Sequence, residues 1–386
     1  MRRLNVLHIV TKLELGGAQK NALYIVSLLN KDRYNLSLAS SNEGILVPDA
    51  LNIPQINATF LPTLKRAIDP LKDFITLISL TRLIKNKKFD IVHTHSSKAG
   101  ILGRWAAKLA GVPVVLHSVH GWGFHHRQNP LTRRLFIYLE RITAKITNRL
   151  IAVSQSDIKR GLNARIGTED KYALVRYGIP LQEFTDCQVD IKKKKEELGL
   201  KTDSKVVGMV ACFKPQKAPE DFLRAAVLVK KDFPEAKFLL VGDGALRRKL
   251  EGLRKRFVLE KEVIFTGWRR DIPQILSILD VFVLTSLWEG SPIVLLEAMA
   301  CALPVVATST GGAQETIHNG SSGFIVNFGD IEAMAQRIVS LLRNTNLARK
   351  MGQEGRNLLD PSFEVEHMVK QVDRLYQTLW KEKKLC

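Results

Sequence analysis

Two carboxylates eight residues apart frame the stretch Glu289-Gly290-Ser291-Pro292-Ile293-Val294-Leu295-Leu296-Glu297. It follows a β-branched run, Val281–Leu284, and enters an apolar helix expected over Pro292–Ala300. Two acids in so apolar a setting cannot both be buried without partners. Glu297, on the second helical turn, is placed to hold a vicinal diol with both oxygens. Glu289, in the loop, is placed to accept hydrogen bonds from hydroxyl groups. Gly290 and the backbone N–H groups of Ser291, Ile293 and Val294 lie at the helix N-terminus, which favours an anion such as a diphosphate. Pro292 donates nothing but suits the first helical position. The plainer alternative is one capping carboxylate beside one solvated carboxylate.

Three other segments carry candidate groups. Lys217 lies in Ala211-Cys212-Phe213-Lys214-Pro215-Gln216-Lys217-Ala218, a loop following a strand, and is a point charge suited to phosphate. Gly16 and Gly17 separate the first strand from the first helix, where the backbone can approach a phosphate or an acceptor closely. A tight strand-to-helix turn would explain them too. His120 ends the strand Val114–Val119, where a neutral imidazole could bond a hydroxyl; a structural histidine is the alternative. His93, His95, His117, His125 and His126 are less well placed. The trio His120, His125 and His126 has no fourth ligand and no shared helical face, so a zinc site is not expected.

Positioning these groups requires a particular alternation. Strands are expected at Asn5–Val10, Leu36–Ser40, Ile91–His95, Val114–Val119 and Leu150–Val153. Helices are expected at Ala18–Leu29, Pro70–Lys85, Lys98–Ala110 and Pro130–Thr147. The alternation restarts with strands at Lys205–Ala211, Lys237–Val241, Val263–Phe265, Val281–Leu284 and Pro304–Ala307. Helices Lys217–Asp232, Ala245–Phe257, Pro273–Leu279, Pro292–Ala300 and Ile331–Asn344 lie among and after these strands. Two such series predict two doubly wound α/β domains with right-handed crossovers. The borders fall at 1–183 and 184–361. A last helix, Ser362–Lys384, within 362–386, is expected to pack back on the first domain. Ligands of such sheets bind beyond the carboxyl ends of the strands, so one cleft between facing domains is the expected site.

The run from Trp288 to Thr308, with Gly311-Gly312-Ala313-Gln314-Glu315 after it, resembles the Glu-x7-Glu signature and glycine-rich turn of family 4 glycosyltransferases. Gly242-Asp243-Gly244-Ala245-Leu246-Arg247 and Phe265-Thr266-Gly267 resemble further segments of that family, and the likeness spans nearly the whole chain. The resemblance implies a GT-B fold and transfer of a hexose from a nucleotide sugar, a UDP-sugar by preference, with retention of configuration. It implies that Lys217, Gly16, Gly17 and the amides near Ile293 serve the diphosphate, Glu297 the ribose, and Glu289 and His120 the transferred sugar. No metal is expected, because no DxD pair presents itself. One departure stands out: Cys212 occupies the family's usual arginine position, five residues before Lys217, and Lys214 could partly compensate.

Composition narrows the partners. The net charge is +20, with 27 Lys and Arg against 13 Asp and Glu through residue 186 and 31 against 25 after it. A basic first half suggests an anionic partner. The segment from His93 to Phe124 is most similar to bacterial surface-polysaccharide members, which implies a lipid-linked saccharide acceptor at the cytoplasmic membrane face. Arg134, Arg141, Lys145 and Arg149 fall within one arc of an expected helix beside Leu135, Leu139, Ile142, Ile146 and Leu150; a core-packed helix with a solvated basic edge is the plainer reading, and electrostatic docking on anionic lipid is the sharper one. Four cysteines without CxxC or zinc spacing favour a reducing compartment. Arg247 breaks a GxGxxG frame and no P-loop lysine is present. Nucleic acid is not expected as a partner, because no basic-aromatic platform appears. A same-fold epimerase and a basic nucleic-acid-binding protein are the competing readings; acceptor dependence and salt-sensitive duplex binding separate them.

Overall fold

The computed structural model describes residues 2–385. Contacts divide the chain into two compact units, Met1–Gly178 with Val365–Cys386, and Ile179–Glu364.

The first unit is built on a seven-stranded sheet. Its strands are β1 (Leu4–Ile9), β2 (Tyr34–Ser40), β3 (Ile56–Phe60), β4 (Ile91–His95), β5 (Val114–Val119), β6 (Arg149–Ala152) and β7 (Tyr172–Leu174), in the order β3-β2-β1-β4-β5-β6-β7. Every pairing is parallel. The order reverses between β1 and β4, which is where such a sheet opens a crevice for ligands. Val6, Ile9, Ile91, Val92, Val114 and Leu116 are buried, as a sheet covered on both faces requires.

The second unit carries β8 (Val206–Val210), β9 (Lys237–Val241), β10 (Val263–Gly267), β11 (Val281–Leu284), β12 (Val305–Thr308) and β13 (Phe324–Val326), in the order β10-β9-β8-β11-β12-β13. All its pairings are parallel as well, and the switch lies between β8 and β11. The helix Ile293–Ala300 is buried on nearly every side. This explains why its sequence is apolar all round rather than amphipathic.

The last helix, Val365–Leu385, belongs to the first unit. Val365, Met368, Val369, Val372, Tyr376 and Leu379 recur at helical spacing and bury against Val6, Ile25, Leu36 and Ile91. The preceding Asp360-Pro361 starts a single 3-10 turn, Pro361–Phe363, so the helix begins three residues later than expected from Ser362.

Three of the four edge strands are missing from the sequence pattern, the exception being β10, expected at Val263–Phe265. β3, β7 and β13 each have only one neighbouring strand, and all three are short. The half-buried INATF of β3 lacks a clean alternation. Helices Gln155–Asn163 and Thr345–Asn357 were also not expected; both are mostly polar. The expected helix from Lys217 starts at Pro219, because Pro215–Lys217 forms its own 3-10 turn and Ala218 is left-handed with φ 42°.

Candidate active site

In the second unit the site assembles at the β8/β11 switch. The loop after β8 and the loop after β11 are stitched together. Leu287 N donates to Gln216 O at 2.8 Å, and Gln216 Nε2 donates to Trp288 O at 2.8 Å. Thr285 Oγ1 donates to the carbonyls of Lys217 and Ala218, at 2.8 and 2.9 Å. These bonds bring Lys217 Nζ into an ion pair with Glu289 Oε1, and Ser286 Oγ donates to the same carboxylate oxygen at 2.6 Å. Both partners are largely withdrawn from solvent, with side-chain exposures of 16% and 8%. A cation and a carboxylate thus sit together directly before the N-terminus of the Ile293–Ala300 helix.

Pro292 is the residue before that helix rather than its first residue, with φ −78° and ψ 101°. The first-turn amides of Ile293 and Val294 therefore have no acceptor four residues back within the helix. Glu297, one turn on, is buried at 6% exposure. The glycine-rich turn after β12 packs on this loop: a Cβ at Gly312 would lie 2.2 Å from the Gly290 carbonyl oxygen. The loop after β9 packs on the β8 loop just as closely. Gly242, at φ 124°, would place a Cβ 2.0 Å from Ala211 O, and Phe213 N donates to Asp243 O at 2.8 Å. Cys212 and Lys214 belong to this turn, in which Lys214 N donates to Cys212 O at 2.8 Å.

In the first unit the corresponding crevice lies beyond β1 and β4. Gly16 precedes the helix Gly17–Leu28, and its carbonyl accepts Lys20 N at 2.9 Å. Across the switch, Thr11 Oγ1 and Ser96 Oγ are 2.7 Å apart. Ser96 has φ 62°, an unusual conformation for a residue with a Cβ at the mouth of a candidate site. Sequence reasoning missed Thr11 and Ser96, since nothing in their local pattern distinguishes them from loop residues.

His120 is half-buried beyond β5, and both its ring nitrogens have protein partners. Nδ1 lies 2.5 Å from Tyr177 Oη and Nε2 lies 3.0 Å from His95 Nδ1. Burial pushes its pKa down to about 3, so the ring is neutral at physiological pH. His93 and His95, expected to be less well placed, are buried beside it. His125 and His126 form no cluster with His120. Among the described residues, the group close enough for a metal is instead His8, His93 and His95, whose ligand nitrogens lie within 4.8 Å of one another.

The expected basic arc is altered by the structure. The helix over Pro130–Lys145 ends before Arg149, which lies in β6 and donates to Asp170 O. Arg141 Nε donates to Ala164 O at 2.6 Å. Leu139, Ile142 and Ile146 are half-buried and Leu150 is buried, while Leu131, Leu135 and Tyr138 stand exposed at 73%, 52% and 58%. Cys187, Cys212 and Cys301 are not joined in disulfides among the described residues, and Cys386 lies outside them.

Residues 15–183 match the model of Glycosyltransferase Family 4, and residues 190–358 match that of Glycosyl transferases group 1. The chain is 35% identical to the UDP-Gal:alpha-D-GlcNAc-diphosphoundecaprenol alpha-1,3-galactosyltransferase of Escherichia coli, over 97% of each chain. It is 30% identical to the putative glycosyltransferase EpsD of Bacillus subtilis, over 79% of this chain and 81% of that one. Its fold is similar to that of HepE from Anabaena, solved in complex with UDP-glucose, with TM-score 0.84 and 22% identity over 97% of this chain and all of that one. The two Rossmann-like units are those of the GT-B fold, and the chain is a glycosyltransferase, belonging to the family that joins a Glycosyltransferase Family 4 half to a group 1 half.

Proposed function

We propose that this glycosyltransferase moves a hexose from a UDP-sugar to a hydroxyl of a lipid-diphosphate-linked saccharide, retaining anomeric configuration and requiring no metal. The observation that carries this reading is the meeting of Lys217, Glu289 and the helix N-terminus at the second unit's switch point. Donor and acceptor class are suggested by the name of the Escherichia coli relative, which specifies UDP-Gal and a diphosphoundecaprenol acceptor.

The chemistry follows from the charges. The bond from the sugar's anomeric carbon to the diphosphate breaks, and UDP leaves with the electron pair. The acceptor oxygen bonds that carbon on the same face and passes its proton to the departing diphosphate. Negative charge therefore grows on the diphosphate, where Lys217 and the amides of Ile293 and Val294 stabilise it. Donor phosphate competes with Glu289 for Lys217, which frees Glu289 to accept from sugar hydroxyls. Glu297 holds the ribose. Gly16 and Gly17 admit the diphosphate closely, and His120 orients the transferred sugar. Lys217 and the helix dipole supply the positive charge that a divalent ion would otherwise provide.

Docking on the cytoplasmic face of an anionic membrane is part of the same reading. Leu131, Leu135 and Tyr138 are exposed on one helix with Arg133, Arg134 and Lys145. Ile68, Leu71, Phe74 and Ile75 are exposed near Lys65, Arg66 and Lys72 in the same unit. No helix among the described residues is long and apolar enough to cross a membrane. The test offers UDP-, GDP- and ADP-sugars with a diphosphate-linked lipid saccharide, with and without EDTA. Acceptor-dependent transfer from a UDP-sugar, unaffected by EDTA and giving the donor's anomeric coupling in the product, is the expected result. Product without acceptor, inverted coupling, or loss of turnover with EDTA would each overturn the corresponding part.

A further inference from the structure

Seven side chains in the first unit form one unbroken hydrogen-bonded line. Tyr177 Oη lies 2.5 Å from His120 Nδ1, His120 Nε2 lies 3.0 Å from His95 Nδ1, and His95 Nε2 lies 3.0 Å from His8 Nδ1. His8 Nε2 lies 3.2 Å from Tyr376 Oη, which lies 2.6 Å from His93 Nδ1, and His93 Nε2 lies 2.8 Å from Ser118 Oγ. The register of the sheet creates this line: His8 pairs across from His93, and His95 from Ser118. Tyr376 closes it from the C-terminal helix, 0% exposed. Among the described residues, no carboxylate is a hydrogen-bond partner of these four rings. Charges that act nearby are Arg104, paired with Glu140 at 2.7 Å and acting on His117, and Asp373, which acts on Tyr376 and is held by Tyr34 and Arg33.

A neutral imidazole has one N–H and one lone pair. Each ring in such a line must therefore receive a hydrogen bond on one side and donate on the other, so all links point the same way. Two independent features choose the direction. At the ends, a phenol (pKa ~10) is a far better donor than an alcohol, so Tyr177 donates and Ser118 accepts. In the middle, hydroxyl-donated bonds are the shorter kind, and Tyr376 is closer to His93 than to His8. Both features put the proton of every ring on Nε2.

We infer that this line fixes the tautomer of His120 from inside the core, with Nδ1 an acceptor held by the Tyr177 hydroxyl until a sugar hydroxyl takes its place, and that Tyr376 is a positioning residue for the site. Its catalytic consequence rests on the function proposed above; the tautomer assignment does not. The same nitrogens cannot also hold a metal, because His8, His93 and His95 spend both ring atoms within the line.

Nitrogen-15 NMR of the full chain labelled at histidine reads the tautomers directly. The expected spectrum has His8, His93, His95 and His120 all protonated on Nε2 alone, unchanged by added zinc. Tyr177→Phe removes the donor at one end, so all four rings should shift toward a tautomer mixture together. In a Tyr376→Phe background the line is cut, and Tyr177→Phe should leave His93 unmoved. Mixed tautomers in the wild type, zinc-induced shifts of these rings, or a His93 that ignores Tyr177→Phe would each overturn the inference. With a working donor, Tyr376→Phe should lower kcat about tenfold with KM within about twofold; unchanged kcat would remove Tyr376 from a positioning role. If no donor is turned over at all, the function fails while the tautomer spectra still decide the relay.

Discussion

Lowering the pH should unravel the first unit before the second. His8 is completely buried, and burial pushes its pKa from 6.5 down to about 3. His93, His95 and His117 are held well below 6.5 for the same first reason, with neighbouring imidazoles adding to it and Arg104 adding at His117. The unfolded chain takes up protons at these positions as pH falls through 6.5, whereas the folded unit does not. The stability gained by keeping them neutral is thus fully present above about pH 6.5 and is lost progressively on the way down to about 3. At pH 5 the unfolded ring of His8 is favoured by about 1.5 pH units, or ~2 kcal/mol, and the other three rings push the same way. Against a typical domain stability of ~5–15 kcal/mol, this is a large loss. Hydrogen exchange read by peptide mass spectrometry, corrected for intrinsic rates, resolves the two units. Protection in β4 and β5 should fall at least about thirtyfold between pH 7.5 and 5, the ratio that ~2 kcal/mol implies. Protection in β8 and β11 should change little, since the second unit's single histidine, His318, is exposed. Full protection of β4 and β5 at pH 5, or equal loss in both units, would refute the reasoning.

Lys217→Ala should lower kcat by roughly a hundredfold, as for other lost donors to transition-state charge, while Glu297→Ala should chiefly weaken donor binding in calorimetry. A Lys217 variant with turnover intact would contradict the assigned role. Gly312→Ala forces a Cβ into the Gly290 carbonyl, so nucleotide affinity should drop along with thermal stability; an unperturbed variant would show that the two loops part easily. Binding to anionic vesicles should weaken with salt. It should fall roughly hundredfold when Arg133, Arg134 and Lys145 become Gln, at ~1 kcal/mol per basic residue. Equal binding to neutral vesicles would leave electrostatic docking without support.

The sequence determined the two α/β series, because each parallel strand is a short buried β-branched run and each crossover helix an apolar stripe, both local patterns. It also determined the Glu289–Glu297 segment and Lys217, since a carboxylate in an apolar run and a lysine after a strand need no neighbours to be noticed. What the tertiary structure alone decided is which of these groups touch. Lys217 meets Glu289 only because β8 and β11 lie side by side at the switch, and the turn at Gly312 is glycine only because another backbone passes there. The basic arc was misjudged at Arg149 because the helix stops at Lys145, and helix ends depend on what they pack against. His8, His93, His95 and Tyr376 looked unremarkable in sequence, separated by up to 368 positions. Strand register and a returning helix set them in one line, and hydrogen bonds between positions so distant leave no local signature in the chain.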